Sequence, residues 1–324
     1  MAPEAEEGRE LSRSRSSVSV GGLITAGGWL ALLLAVISVV GQRRWPVELI
    51  THFWPQLLVT LLCSSLVACL SRSWRSAAAH GVGGAVLLVL VGQSVDLRRA
   101  PVQEQVPDLT ALFVNVERSN TDYSGVIGTI RTLRPHVVAL AEIDDAWLEA
   151  TEVLRDDYPH RIALPRDDNF GIALLSRLPL QGAVEFIGPV GLPSIVATVR
   201  IDSVTWRIVV THPIPPFNAF AFDSRNEQFA ALAEELAGAP GPTVLLGDLN
   251  ATLWSPYLRD LQRTTRLRSA SSGLNALYTW PTGLPILALG LDHCLYSEPA
   301  YVVGYHVLAS VGSDHFPILC ELSR

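Results

Sequence analysis

Val244-Leu245-Leu246-Gly247-Asp248-Leu249-Asn250 is a short apolar run that ends in a turn bearing a carboxylate and an amide. Asp248 and Asn250 are two residues apart, so their side chains point the same way if the segment is extended. A second polar turn, Gly312-Ser313-Asp314-His315, lies near the C-terminus, and Glu142 ends another apolar run. No serine or cysteine nucleophile signature accompanies these groups. The pattern predicts a strand-end site in which a metal-bound water attacks an electrophile.

The composition indicates a chain with an apolar N-terminal part. Its 324 residues are enough for one large domain and an additional segment. Hydrophobic residues make up 49% and the mean hydropathy is +0.30, a high value whose excess lies near the N-terminus. All 24 basic residues are arginine. The absence of lysine excludes Schiff-base and lysine-nucleophile chemistry.

Charge and cysteine content exclude two further classes of site. The net charge is -7, and from Pro107 onward 15 Arg stand against 24 Asp and Glu, so no basic nucleic-acid stripe is visible. The four cysteines form no CxxC or zinc-ligand spacing. Cys63 and Cys69 lie in an apolar run. Cys294 and Cys320 lie in predicted strands, where either two buried thiols or a disulfide fits.

Three apolar runs precede the polar part of the chain. Residues 21–41, 49–70 and 77–95 each approach the ~20 residues that cross a bilayer. A signal peptide followed by buried helices is the alternative, but a signal peptide has one apolar region of about 7–15 residues. We therefore predict a disordered tail over 1–20, three transmembrane helices within 21–97, a linker over 98–107 and one domain over 108–324.

The arginines flanking these runs give the expected orientation. Those of one side are Arg9, Arg13, Arg15, Arg72 and Arg75, and those of the other are Arg43, Arg44, Arg98 and Arg99. The side that includes the N-terminus has five arginines and the other side has four, which favours a cytoplasmic N-terminus under the positive-inside rule. An odd number of spans then places the C-terminal domain outside. The chain is predicted to be an integral protein of a bacterial cell membrane with an extracytoplasmic domain.

The C-terminal domain alternates short strands with helices. Strands are predicted over residues 110–116, 136–141, 172–176, 195–201, 205–211, 243–246, 291–297, 301–308 and 318–322, and helices over 124–133, 145–155 and 225–237. The pattern alternates early and is rich in strands late. It predicts an α+β fold with two packed sheets covered by helices.

Polar segments at the ends of these elements follow a characteristic order. They are Asn115-Val116, Ala141-Glu142, Gly171–Arg177, Thr211-His212-Pro213, Gly247–Thr252, Leu291-Asp292-His293 and Gly312–His315. This order resembles the endonuclease/exonuclease/phosphatase superfamily of DNase-I-like phosphoesterases over residues 108–324. Trp254-Ser255-Pro256 is similar to its bacterial branch with N-terminal membrane helices. The resemblance implies a four-layer α/β/β/α sandwich of two mixed sheets, here preceded by the three transmembrane helices.

The resemblance also implies a metal site. Glu142 would be the principal ligand of Mg²⁺ or Mn²⁺, since a strand-end carboxylate suits a hard cation. Asn115 would either contribute an amide oxygen or orient Glu142. Asp314 would lie at or near the metal.

The implied catalytic roles follow the same order. Asp248 would orient and deprotonate the attacking water, and Asn250 would hydrogen-bond the phosphate. His212 and His315 would donate to the phosphate, with Asp292 orienting His315. Arg177 and Arg225 are further expected to contact substrate phosphate, and Asn120 is expected to assist near the metal.

The substrate is left open by these motifs. One expectation is a nuclease-like enzyme that hydrolyses phosphodiesters of nucleic acid. The alternative is an esterase of phospholipids or lipid-linked phosphates, which the membrane anchor makes plausible. A further alternative is a non-catalytic membrane module that keeps the fold for binding, although the complete set of polar residues argues against it.

Overall fold

The computed structural model describes residues 19–94, 105–238, 240–271, 273 and 278–324. Residues 1–18 of the predicted disordered tail and residues 98–104 of the predicted linker fall outside these residues, whereas Ser19 and Val20 begin the first helix. The described part consists of apolar helices followed by a two-sheet domain.

The N-terminal part contains four helices. They are α1 Val20–Gly41, α2 Val47–Thr51, α3 Trp54–Leu70 and α4 Trp74–Ser94. Within the part of the chain that the structure describes, α1 and α4 are the helices that are long and apolar enough to cross a membrane, and 22% and 17% of their most apolar windows are buried. The prediction of three spanning helices is therefore corrected to two candidates and the shorter helix α3, which has 17 residues.

The predicted second span is broken near its start. Residues 47–51 form the separate helix α2, and α3 begins only at Trp54 with Pro55 in its first turn. Proline fits the first turn of a helix because its missing N–H would have no partner there. Glu48 and Thr51 of α2 are buried. Side chains of α2 are thus used for packing, and α3 is left about 26 Å long, shorter than a typical hydrocarbon core of about 30 Å.

The C-terminal domain contains two six-stranded mixed sheets. The strands are β1 Leu109–Asn115, β2 Val137–Ala141, β3 His160–Leu164, β4 Ile172–Ser176, β5 Leu180–Phe186, β6 Pro193–Ile201, β7 Val204–Thr211, β8 Thr243–Asp248, β9 Arg268–Ser269, β10 Asp292–Tyr296, β11 Tyr301–Val307 and β12 Ile318–Ser323. The first sheet has the order β11-β12-β1-β2-β4-β3, and the second has the order β5-β6-β7-β8-β10-β9. In each sheet one central pair is parallel, β1 with β2 and β7 with β8.

Helices cover the outer faces of both sheets. The remaining helices are α5 Tyr123–Leu133, α6 Asp145–Ala150, α7 Ala219–Leu236 and α8 Pro256–Thr265. One buried cluster lies between the sheets, a second joins α5 and α6 to the first sheet, and a third joins α7 and α8 to the second sheet. This arrangement confirms the prediction of two packed mixed sheets flanked by helices.

The third cluster also includes side chains of the apolar helices. Trp54 and Leu61 of α3 belong to the same buried cluster as Leu232 of α7 and Leu258 of α8. The apolar helices therefore pack against the back of the second sheet's helical layer. Cys294 and Cys320 lie in different sheets, each buried in the layer between them.

Candidate active site

The carboxyl ends of the two parallel strand pairs meet at one edge of the sandwich. Strands β1 and β2 end at Asn115 and Ala141, and β8 ends at Asp248. Strand β10 begins at Asp292, whose register partner on β8 is Asp248. The residue before Asp248 is a glycine, Gly247, because a Cβ at that position would collide with the backbone carbonyl of Thr211 in β7. The sheets thus bring polar residues from distant parts of the chain to one edge.

Glu142 leaves β2 in a left-handed conformation. Its φ of 62° is uncommon for a residue with a side chain, and such positions cluster at functional sites. Asn115 Nδ2 donates to Glu142 Oε1 at 2.9 Å and to Asp248 Oδ2 at 3.2 Å. Burial raises the pKa of Glu142 and nearby Asp248 adds to this, whereas His212 and the Asn115 hydrogen bond oppose it. Asn115 is therefore placed to orient both carboxylates.

Two histidines contact the carboxylate of Asp248. His212 Nε2 lies 3.5 Å and His315 Nε2 lies 3.6 Å from Asp248 Oδ2. Burial opposes ionisation of Asp248, but the two imidazoles outweigh it and lower its pKa to about 2. In His212, burial favours the neutral ring, yet Asp248 and Glu142 raise its pKa. Asp248 is thus held as a carboxylate between two N–H donors.

Asp292 supports His315 from the opposite side of the ring. His315 Nδ1 lies 2.8 Å from Asp292 Oδ2, and both residues are buried. Burial disfavours the charged imidazole, but Asp292 and Asp248 outweigh it and raise the pKa of His315 to about 10. Burial also raises the pKa of Asp292. Because two carboxylates face one ring, the shared proton is on the imidazole at neutral pH.

Asn250 is fixed in the turn after β8. Its backbone has φ 49°, and its N–H donates to Asp248 Oδ1 at 2.9 Å. Its side-chain Nδ2 donates to the carbonyl of Pro213, directly after His212, at 2.9 Å. These contacts join the β8 turn to the end of β7.

Asp314 lies at the more open side of the cluster. Its side chain is 46% exposed, and its Oδ1 is 3.9 Å from His315 Nε2. Trp280 Nε1 donates to Asp314 Oδ2 at 2.8 Å, and the Asp314 backbone N–H donates to Glu117 Oε2 at 2.9 Å. Asp314 is therefore held beside His315 with one face toward solvent.

Three residues proposed from the sequence do not join this cluster. Arg177 follows the other end of β4 and donates to the carbonyl of Arg134. Arg225 is fully buried in α7 and pairs with Glu48. Asn120 Nδ2 donates to the backbone carbonyl of Val116 in the turn after β1.

Trp280 and Glu117 are contacts that the sequence reading missed. Both act on Asp314, although they lie 34 and 197 residues away along the chain. No spacing pattern links such distant positions. For Trp280 the sequence offers one indication. A tryptophan that is partly buried in a Pro- and Gly-rich segment needs a hydrogen-bond acceptor for its indole N–H.

The helix α2 is built into the back of the β8 turn. Glu48 Oε1 lies 3.1 Å from Arg225 Nη2 and accepts a hydrogen bond from Ser255 Oγ at 2.7 Å. Arg225 Nη1 in turn donates to the carbonyl of Asn250 at 2.8 Å. Burial opposes ionisation of Glu48, but His52 and Arg225 outweigh it and lower its pKa to about 2. A buried ion pair thus connects the apolar helices to the turn that carries Asn250.

The donor atoms at the sheet edge suit a hard divalent cation. Glu142, His212 and Asp248 present ligand atoms within 4.8 Å of one another, as do Asp248, Asp292 and His315. Among the described residues, Asp292 Oδ1 is buried without a hydrogen-bond partner. Clustered carboxylates repel one another, and a cation relieves that repulsion. Oxygen donors of this kind match the preference of Mg²⁺ and Mn²⁺, so the residues fit such an ion.

Comparisons with known proteins agree with this architecture. A protein described as an endonuclease/exonuclease/phosphatase from Beutenbergia cavernae DSM 12333 is 20% identical with a TM-score of 0.55, covering 66% of this chain and 71% of that one. TDP2 from D. rerio, complexed with a single-strand DNA product, is 16% identical with a TM-score of 0.56, covering 67% and 99%. Sphingomyelinase C from Streptomyces griseocarneus is 15% identical with a TM-score of 0.50, covering 66% and 98%.

These identities are low, so the structural similarities show the fold alone. No curated protein sequence matches the chain. The sequence match is more specific, because residues 112–315 match the Endonuclease/Exonuclease/phosphatase family from β1 to His315. That range contains every residue of the cluster around Asp248. By sequence and by fold, the chain belongs to the endonuclease/exonuclease/phosphatase family.

Proposed function

We propose that the protein is a membrane-anchored, metal-dependent hydrolase of phosphodiesters. The single observation that carries this proposal is the carboxylate of Asp248, held between His212 and His315 beside the second carboxylate of Glu142. Such a cluster combines a base, two N–H donors and oxygen ligands at one edge. A binding module has no need of a buried carboxylate and imidazole set of this kind.

Glu142 is the proposed principal ligand of Mg²⁺ or Mn²⁺, oriented by Asn115, and Asp314 completes the site from its open side. When bound, the ion supplies positive charge that stabilises the charge developing on phosphate oxygens. The raised pKa of Glu142, which is due first to burial, is consistent with a position that a cation stabilises.

The protein's own side chains then perform the proton transfers. Asp248 is the proposed acceptor of the proton of the attacking water, because it is ionised and lies at the centre of the cluster between the two imidazoles. His212, His315 and the side chain of Asn250 donate to the phosphate oxygens. Asp292 keeps His315 protonated and fixes its ring through Nδ1, which leaves Nε2, on the Asp248 side, as the proposed donor to the phosphate.

The apolar helices provide the proposed membrane anchor. The outward side chains of α1 are large and apolar, with Val20 74% and Val40 84% exposed. A water-soluble protein rarely leaves so continuous an apolar surface uncovered. We propose that α1 and α4 cross the membrane with the shorter α3 packed between them, in the manner of the family's membrane-anchored bacterial branch.

The test uses the full chain in detergent micelles with bis(p-nitrophenyl) phosphate. We expect hydrolysis that depends on Mg²⁺ or Mn²⁺. Its rate should fall about a thousandfold in Asp248→Asn, because the variant loses both the proton acceptor and the negative charge that holds the two imidazoles in place. Glu142→Gln should weaken the metal dependence, measured as a higher Mg²⁺ concentration at half-maximal rate. Glu298→Gln, which alters a surface ion pair, is the matched control.

Two results would overturn the proposal. One is Mg²⁺ binding by calorimetry without hydrolysis of any phosphate ester, which would favour the binding module. The other is hydrolysis that Asp248→Asn leaves at the wild-type rate.

A further inference from the structure

We infer that the rim of the active site lies in the surface of the bilayer and that the substrate is a phosphodiester carried by a membrane lipid. This inference rests on the proposed hydrolysis and names its substrate class. It is carried by two uncharged, apolar loops that border the site. Both loops are hydrogen-bonded to the apolar helices at the end where α1 stops and α3 starts.

The first loop runs from His212 into α7. Its residues 213–220 read Pro-Ile-Pro-Pro-Phe-Asn-Ala-Phe and contain no charged side chain. Phe217 and Phe220 are 66% and 67% exposed. Two exposed phenylalanines three residues apart form an apolar projection that water solvates poorly.

The second loop lies between Trp280 and β10. Residues 281–290 read Pro-Thr-Gly-Leu-Pro-Ile-Leu-Ala-Leu-Gly, again without a charge. Its 3₁₀ turn over Pro285–Leu287 has no buried residue, and Ile286 is 77% exposed. Leu284 and Leu287 are also exposed. A loop tip on a soluble surface is normally polar, so this tip is built for an apolar environment.

Both loops border the proposed catalytic cluster. The carbonyl of Pro213, in the first loop, accepts the hydrogen bond of the Asn250 side chain. In the second loop, Thr282 N–H donates to the Asp314 carbonyl at 2.9 Å. A substrate phosphate at the cluster therefore has the two loops as its immediate neighbours.

Both loops are also fixed to the apolar helices at the same end. Trp45 Nε1, in the turn after α1, donates to the carbonyl of Pro216 at 3.3 Å. Gln56 Nε2, in the first turn of α3, donates to the carbonyl of Ala288 at 2.9 Å. These contacts place the loops at the level where the apolar helices begin and end. Tryptophan is enriched at that level, the boundary between water and hydrocarbon.

The charge of the rim favours lipid over nucleic acid. Binding of a nucleic-acid backbone depends on Lys and Arg side chains along the strand. The two loops contain neither, whereas binding to a bilayer surface increases with the apolar area that is buried in it. The exposed phenylalanines alone would allow stacking on bases, but stacking proteins combine aromatic residues with a basic groove.

The first experiment locates the rim directly. The full chain, with the exposed Cys63 and Cys69 changed to Ser, is labelled with an environment-sensitive fluorophore at Ile286→Cys and reconstituted in phosphatidylcholine–phosphatidylglycerol nanodiscs. We expect the emission to shift to the blue relative to the same variant in a short-chain, water-rich detergent. A label at Val153→Cys is the matched control, since Val153 is exposed on the helical layer of the first sheet. A label at 286 that stays as accessible to an aqueous quencher as the label at 153 would overturn the inference.

The second experiment compares substrates. Vesicles of the same two phospholipids, a single-stranded DNA oligonucleotide and bis(p-nitrophenyl) phosphate are tested with the wild type, Ile286→Asp and Val153→Asp. We expect phospholipid hydrolysis, and we expect Ile286→Asp to lower the ratio of phospholipid to soluble-diester hydrolysis about tenfold, as loss of one inserted side chain implies. Val153→Asp should keep the wild-type ratio.

Two outcomes of this comparison would overturn the inference. One is hydrolysis of the oligonucleotide but not of phospholipid, and the other is an unchanged ratio in Ile286→Asp. Failure of the proposed function is distinct from either, because the wild type would then hydrolyse none of the three substrates.

Discussion

At the scale of single residues, the state of His315 decides how the site works. Two carboxylates contact its imidazole, Asp292 at 2.8 Å and Asp248 at 3.6 Å. Their attraction exceeds the cost of burial and raises the pKa of His315 to about 10. A histidine that stays protonated through neutral pH serves as a donor to phosphate rather than as a base. Under the proposed function the proton of the attacking water then goes to Asp248, which is ionised because the two imidazoles lower its pKa to about 2.

This assignment predicts the pH dependence of the Asp292→Asn variant. A raised pKa means that the protonated form is present below it and is lost as the pH rises through about 10. Removing the nearest carboxylate should move that loss toward neutral pH and lower kcat about a hundredfold. The measurement is kcat/KM for bis(p-nitrophenyl) phosphate between pH 6 and 11.

The control for this profile is His306→Gln, because His306 is 55% exposed on β11 and pairs with Glu321. It should keep the wild-type profile. An alkaline limb that is unmoved in Asp292→Asn would show that His315 is not held protonated by that carboxylate.

The site residues differ in how far the sequence could reveal them. Asp248 and His315 stand in turns directly after or before apolar runs, so local pattern marks them as candidates, and their predicted roles rest on the order in which such turns follow one another. Arg225 has a guanidinium that matches phosphate, but its partner Glu48 lies 177 residues earlier, in a segment predicted to begin a membrane span. Long-range pairing of this kind leaves no local pattern, so the buried ion pair of Arg225 with Glu48 could not be predicted from the sequence.

At the scale of elements, close packing of the apolar helices depends on small residues. A Cβ added at Gly28 of α1 would collide with Ser64 of α3 and lie 2.6 Å from the ring of His80 in α4. A Cβ at the neighbouring Gly27 would meet no atom within 4 Å. Helices in membranes approach through such small residues, since lipid provides no hydrophobic drive between them.

The pair Gly28→Leu and Gly27→Leu tests this packing. We expect Gly28→Leu to destabilise the chain by about 1–3 kcal/mol or more through overpacking. Gly27→Leu should change stability by less than about 0.5 kcal/mol, as an open surface position does. Thermal unfolding in detergent, followed by circular dichroism, measures both. Equal midpoints for the two variants would refute the packing of α1 against α3 and α4.

The strands that the sequence pattern did not predict are those in which buried and exposed residues do not alternate. Strand β5 is an edge strand with mostly exposed residues and an interior glycine, so it lacks a buried apolar face. Strand β3 is an edge strand of the first sheet, and all of its residues are partly buried, so its burial does not alternate between two faces. Helix α8 has only ten residues and begins at Pro256, so its apolar face is short. Central strands such as β4 were placed correctly because burial on both faces produces an unbroken apolar run.

At the scale of the whole molecule, the apolar helices and the catalytic domain form one structure. They share a buried cluster, and Glu48 links α2 to α7 through Arg225. His52 Nδ1 lies 2.9 Å from Thr252 Oγ1 in the segment after the β8 turn. The helices are therefore more than a tether, because their side chains complete the back of the turn that bears Asn250.

Replacement of Glu48 by Ala should consequently affect both stability and catalysis. Removing one partner leaves the charge of Arg225 buried and unpaired, at a cost of about 3–5 kcal/mol. Arg43→Ala is the control, since its exposed pair with Asp260 contributes at most about 1 kcal/mol. The double variant Glu48→Leu/Arg225→Met should regain stability because no charge remains buried. Its kcat should stay low, because nothing then donates to the Asn250 carbonyl. Wild-type kcat in the double variant would show that the helices stabilise the domain without positioning its catalytic turn.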